Sequence, residues 1–250
     1  MAKSERPTPT QSKTPKKREA PKRKATSRRV VTLKKKVAPP KGRTAVATKG
    51  KAALKKKAPV KRRAAVEAAP IGPADIVGIP PRNTFNINLS SATEAAMLRL
   101  FGIPGEKTDQ CSPATGKIKS RIVSRVDVGP FKVSGLDIAV ASLKAVLAEA
   151  EEQIPAVVAA VKNDGMFCVR HKRRNRNSFS NHSWGTAIDL FFGPNAVPQG
   201  TPKTQRGVLQ LAPFFNKHGW FWGAGFSGGS VDSMHFELAE EVISKPPLTS

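Results

Sequence analysis

Ser180-Asn181-His182-Ser183-Trp184-Gly185-Thr186-Ala187-Ile188-Asp189-Leu190 and, further along, Val231-Asp232-Ser233-Met234-His235-Phe236-Glu237 are the two stretches on which the reading of this chain turns. Each sets a histidine and a carboxylate among apolar residues. The step of seven from His182 to Asp189 is too wide for one helical turn and has the wrong parity for one strand. A turn at Gly185 lets both side chains converge, with Asp189 on a strand whose Thr186, Ile188 and Leu190 face the other way. His182, Asp189 and His235 then offer two nitrogens and one oxygen. A catalytic zinc site takes three such protein ligands and keeps one position open to water. Asp232, three residues before His235, has the placement of a general base. On composition alone the commoner alternative is a set of structural histidines, and the motif context has to decide.

Outward from these stretches, the local signals alternate between helix and strand. Ser91-Ala92-Thr93-Glu94 has capping-box spacing ahead of an apolar run that Gly102 stops, which predicts a helix over about 91–101. Residues 117–133 mix Ile and Val with polar residues and Gly129-Pro130, as strand and turn do. Leu136, Val140, Leu143, Val146, Leu147 and Ala150 recur at helical period from Gly135 to about Gln153. Pro155 suits the first turn of a second helix, ending near Gly165. Residues 167–170 read as a short strand, 171–177 as a polar basic loop, 186–192 as a buried strand and 208–217 as a short helix interrupted by Pro213. Phe236 to Leu238 closes the last strand. Short strands with separate helices indicate an α+β fold rather than a repeating βαβ pattern.

The N-terminal part is a different object. The chain has 250 residues, 43 Lys+Arg against 18 Asp+Glu, and a formal net charge of +25. Residues 1–70 hold 24 of the basic and 3 of the acidic residues, and no aromatic precedes Phe85. Such a segment cannot bury enough apolar surface to offset its ordering entropy and is expected to be disordered. It would attract a polyanion, whether nucleic acid or an anionic envelope polymer, by counterion release without sequence readout. The proline-rich stretch 71–84 reads as a linker, and 85–250 as the folded domain.

No apolar run is long enough to span a membrane. No Sec-type signal peptide is expected, since no apolar stretch follows the first charges, so action at the cell wall would need another route. Cys111 and Cys168 allow one bridge in an oxidising compartment or two separate buried thiols. Oligomeric state is open.

Ser180-Asn181-His182, then Gly185, Ala187 and Asp189, followed by Asp232-Ser233-Met234-His235, closely resemble the two motifs of a known family. It comprises the VanY-like D-alanyl-D-alanine carboxypeptidases and L-alanyl-D-glutamate endopeptidases. The resemblance covers about 90–240, and His218-Gly219-Trp220-Phe221-Trp222-Gly223 is similar to the Gly/Trp-rich turn before the second motif. It implies a small α+β domain with a central antiparallel sheet flanked by helices. It implies a zinc ion (Zn2+) on His182, Asp189 and His235, with Asp232 as catalytic base and Arg170 steadying substrate or developing oxyanion. The implied substrates are peptidoglycan stem peptides, as for a phage-type lysin or a host remodelling enzyme.

Two other functions fit the same letters. One is a non-catalytic wall-binding module of the same fold; the other is a nucleic-acid-binding protein acting through its tail. Among the neighbours, Ser180 reads as a site hydrogen-bonder or a loop cap, and Glu237 as a partner behind His235 or a structural salt bridge. His218 reads as a helix-end residue, His171 as exposed, and Trp184, Trp220 and Trp222 as core or rim aromatics.

Overall fold

The computed structural model describes residues 72–245, and the expectations for the basic tail lie outside them. In chain order the elements are β1 Ile76–Gly78, α1 Glu94–Phe101, β2 Ile122–Asp127, β3 Lys132–Leu136, α2 Asp137–Gln153, α3 Pro155–Ala160, β4 Lys162–Asn163, β5 His171–Lys172 and β6 Asn175–Phe179. They continue with β7 Ala187–Phe191, β8 Lys203–Gln205, α4 Arg206–Lys217, β9 Trp220–Trp222, β10 His235–Leu238 and α5 Glu240–Ile243. This is the α+β class expected. No helix among the described residues is long and apolar enough to cross a membrane.

The centre is a four-stranded antiparallel sheet in the order β4-β7-β10-β9. Its register decides the rest. His235 pairs with Asp189, Phe236 with Ile188 and Glu237 with Ala187. With side chains alternating across the pleat, Asp189, His235 and Glu237 share one face, and Ile188, Leu190, Phe236 and Leu238 share the other. The second face is core: all four are at most 1 % exposed, and they belong to one cluster with the buried stripes of α2 and α4. Trp184, Trp220 and Trp222 are fully buried, so they serve the core rather than a ligand platform.

Local chemistry corrects several boundaries. Thr93, not Ser91, caps α1: its hydroxyl accepts from the Ala96 N–H at 3.2 Å. Ser91 and Glu94 are drawn away by tertiary partners, Ser91 to Glu237 and Glu94 to the Phe179 N–H. The helix begun by Pro155 stops at Ala160, because the chain turns into β4 to pair with β7. Residues 167–170 form no strand; Val169 makes a single bridge to Ser112. The basic loop 171–177 is instead the hairpin β5–β6, and Pro213 lies inside a continuous α4. Within the expected linker, Ile76–Gly78 pair with β8 and Arg82 donates to the carbonyls of Gly225, at 2.9 Å, and Phe226. Cys111 and Cys168 are joined in a disulfide.

Candidate metal centre

His182 sits on the 3-10 turn Asn181–Trp184, which Gly185 ends in the left-handed region at φ 66°. The turn is pressed against the end of β3: a methyl on Gly185 would lie 2.6 Å from the Leu136 nitrogen and 2.7 Å from the Gly135 Cα. Only glycine fits both the dihedral and the space. The reversal carries the chain directly into β7, so His182 arrives over the face that presents Asp189 and, across the register, His235.

The three side chains converge. His235 Nδ1 lies 2.9 Å from Asp189 Oδ1, His182 Nε2 lies 3.3 Å from Asp189 Oδ2, and the two ring nitrogens are 3.3 Å apart. Donor atoms of all three fall within 4.8 Å of one another. Ligands about 2.0–2.1 Å from a tetrahedral zinc stand about 3.3 Å from each other, so the spacing suits an ion of that size. His182 and His235 are 4 % and 7 % exposed, which gives the donors few competing water contacts.

The opposite edge of each imidazole is held. His182 Nδ1 donates to the Met166 carbonyl at 3.2 Å, leaving the Nε2 lone pair toward the cluster. His235 Nε2 donates to Glu237 Oε2 at 3.0 Å, leaving Nδ1 inward. Such partners set the tautomer and raise the basicity of a ligand. Glu237 is itself fixed by Ser91 Oγ at 2.6 Å, the Ala92 N–H at 3.1 Å and Asn181 Nδ2 at 2.8 Å. Of the two readings of Glu237, the structure selects the partner behind His235. Its i, i+2 spacing on one strand was the available signal; Ser91, Asn181 and Met166 had none, because their roles depend on segments distant in the chain.

Charge is unevenly distributed. Burial opposes the ionised form of Asp189, but His182 and His235 outweigh it and hold its carboxyl far below the usual range. Burial likewise opposes a charged His235, yet Asp189 and Glu237 prevail and its pKa is pushed up to about 10. With Glu237 also kept ionised by its partners, the cluster attracts positive charge, which a proton or a metal cation can satisfy. Asp232 differs. Burial, with Asp189 adding repulsion, pushes its pKa up to about 6, although His235, His182 and Arg170 act the other way. Its Oδ1 is buried without a hydrogen-bond partner among the described residues. An unpartnered carboxylate oxygen held beside the cluster is suited to take a proton.

Arg170 lines the same cavity, whose volume is about 490 Å³, as do Ser180 and Asp232. Burial lowers the Arg170 pKa and Arg173 adds to this, while Asp189, Asp164 and Asp232 favour its charge. Its Nη1 donates to the His171 carbonyl at 3.1 Å. His171 is buried rather than exposed, because Asp109 Oδ1 at 2.6 Å and the Lys172 carbonyl at 2.8 Å engage both ring nitrogens. His218 caps α4 and meets Glu149 Oε2 at 2.8 Å, and it is neither in the donor group nor in the cavity lining.

Two histidines and an aspartate around one point, with a desolvated carboxylate in the same cavity, define a candidate mononuclear hydrolytic metal centre. Residues 173–238 match the family model described as D-alanyl-D-alanine carboxypeptidase. The matched segment contains His182, Asp189, Asp232 and His235 and begins three residues after Arg170. It bears out the resemblance to the VanY-like family. No curated protein and no solved structure matches the chain.

Proposed function

We propose that this protein is a zinc-dependent peptidase that hydrolyses peptidoglycan stem peptides, of D-Ala-D-Ala carboxypeptidase or L-Ala-D-Glu endopeptidase type. The observation that carries the reading is the convergence of His182, Asp189 and His235 beside Asp232, inside the segment that matches the peptidase family. Two imidazoles and one carboxylate, with tautomers set from behind, are a donor set that suits zinc. His182, Asp189 and His235 would hold the zinc, which would supply Lewis acidity and bring the pKa of water from 15.7 to about 7.

The remaining work falls to the chain. Asp232, whose Oδ1 is buried and unpartnered beside the donor cluster, takes the proton of the attacking water and returns it to the departing amine. Arg170 supplies a fixed positive charge to the oxygen that becomes negative as the amide carbonyl is attacked. Glu237 and the Met166 carbonyl hold the imidazoles in place. A purely binding module has no need of Asp232, which favours the catalytic reading over that one. The basic tail, by its composition, is proposed to retain the enzyme on an anionic polymer of the envelope, as a phage-type lysin or a wall-remodelling enzyme would require.

The test is digestion of purified peptidoglycan of several stem-peptide chemistries by the zinc-loaded protein. New amine and carboxyl ends are expected by mass spectrometry. Absence of any new ends, with one equivalent of zinc bound, would overturn the proposal.

A further inference from the structure

The cavity has two chemically different sides. Its carboxylates are Asp189, Asp232 and Glu237, all at the donor cluster. Its cations are Arg170 and three exposed residues of the β5–β6 hairpin, Lys172 at the end of β5 and Arg173 and Arg174 in the turn. Asp109 engages Arg176 on this hairpin, at 3.0 Å, but no carboxylate among the described residues lies within salt-bridge distance of these three.

Arg174 is the best placed of them. Its guanidinium lies on the backbone of Gly229: a methyl built there would stand 2.8 Å from Nη2 and 3.2 Å from Cζ. Gly229 in turn packs on Gly200, where a methyl would lie 3.1 Å from the Gly229 carbonyl oxygen. The Gly200 N–H donates to the Val231 carbonyl at 2.6 Å. Three segments distant in sequence therefore meet, and Arg174 bridges from the hairpin to the loop that leads into Asp232.

We infer that Arg174, laid across Gly229, is a cationic end stop. It selects peptides with a free carboxylate on the residue that supplies the leaving amine. A chain continuing in that direction must push the guanidinium off Gly229, whereas a carboxylate ending there accepts its paired N–H groups. Two stem-peptide bonds share this chemistry. One has the terminal carboxylate of D-Ala; the other has the α-carboxylate of D-Glu joined through its side chain. The inference rests on the peptidase reading and adds a specificity pair that touches neither the donor cluster nor the base.

The two variants disable the stop from opposite sides. Arg174→Ala removes the cation. Gly229→Ala keeps it but displaces it, at an exposed residue whose backbone lies outside the left-handed region. The zinc-loaded full chain is assayed on acyl-D-Ala-D-Ala and on L-Ala-D-Glu whose γ-carboxyl is closed as an amide, each with the α-carboxylate of its last D-residue free and as the amide. The wild type is expected to prefer the free acid about tenfold or more in kcat/KM, mainly through KM, and the responsive pair names the source. Both variants should bring the ratio toward one, and Arg174→Lys should restore part of it. Unchanged ratios in both alanine variants overturn the inference. If the wild type binds zinc and cleaves nothing, the peptidase reading fails instead. Calorimetry on the same peptides then decides the end stop: free-acid preference lost in Arg174→Ala supports it, and preference retained or absent throughout overturns it.

Discussion

Glu237→Ala isolates what lies behind the candidate metal centre. Glu237 is 2 % exposed and accepts four hydrogen bonds, from Ser91, Ala92, Asn181 and His235. Alanine removes both oxygens, so buried donors on Ala92, Asn181 and His235 lose their acceptor together. At about 1 kcal/mol or more for each stranded donor, the cost is at least about 3 kcal/mol, or a Tm drop of about 6–12 °C for a domain of this size. His235 also loses the acceptor that keeps its proton on Nε2. With the proton free to move to Nδ1, metal affinity should fall about 10–100-fold. Gln should be intermediate, because its one oxygen can still serve Asn181 and His235 while the Ser91 hydroxyl turns to accept from the new amide. Metal affinity is read by competition with a chromophoric chelator, and folding by thermal melts of the metal-free protein. An alanine variant that melts cooperatively and binds zinc within twofold of the wild type would refute this account of Glu237.

Three further outcomes are expected. Asp232→Asn should retain one bound zinc and lose about 10²–10⁴-fold in kcat on any stem peptide the wild type cleaves; full activity in a zinc-replete variant would remove Asp232 from the role of base. Raising the pH should weaken the metal-free protein. The pKa of His235 is raised from 6.5 to about 10 in the folded state, so its contribution is complete below pH 6.5 and is lost as pH climbs through about 10. Zinc uptake in that window should release protons to a pH indicator, and uptake without release would contradict it. The Cys111–Cys168 disulfide spans a sequence separation of 57 residues. By loop-closure entropy, the double change to Ser should cost about 4 kcal/mol in urea unfolding, and a loss below about 1 kcal/mol would show that the bridge does not restrain the unfolded chain.

Much of the site was legible in the letters because its chemistry follows short-range rules. The parity of the step from His182 to Asp189 required a reversal, and Gly185 was the residue able to make it. His235 and Glu237 stand two apart on an apolar strand, so sharing a face follows from the pleat. The stripe Leu136 to Ala150 announced α2 by its period alone. What lay beyond the sequence has one physical cause: its outcome depends on pairing between distant segments, where a local preference is outbid by a tertiary partner. Ser91 has the letters of a cap, yet its hydroxyl goes to Glu237, since a buried carboxylate gains more from it than an exposed helix end does. His171 sits in a basic, polar run, but Asp109 and the β5–β6 turn bury it. The register of β10 on β7 sets His235 opposite Asp189, and the seating of Arg174 on Gly229 depends on two loops more than fifty residues apart. Residue types and spacings name the donors of a metal centre; hydrogen bonds and contacts across long loops determine where they point and which charges surround them.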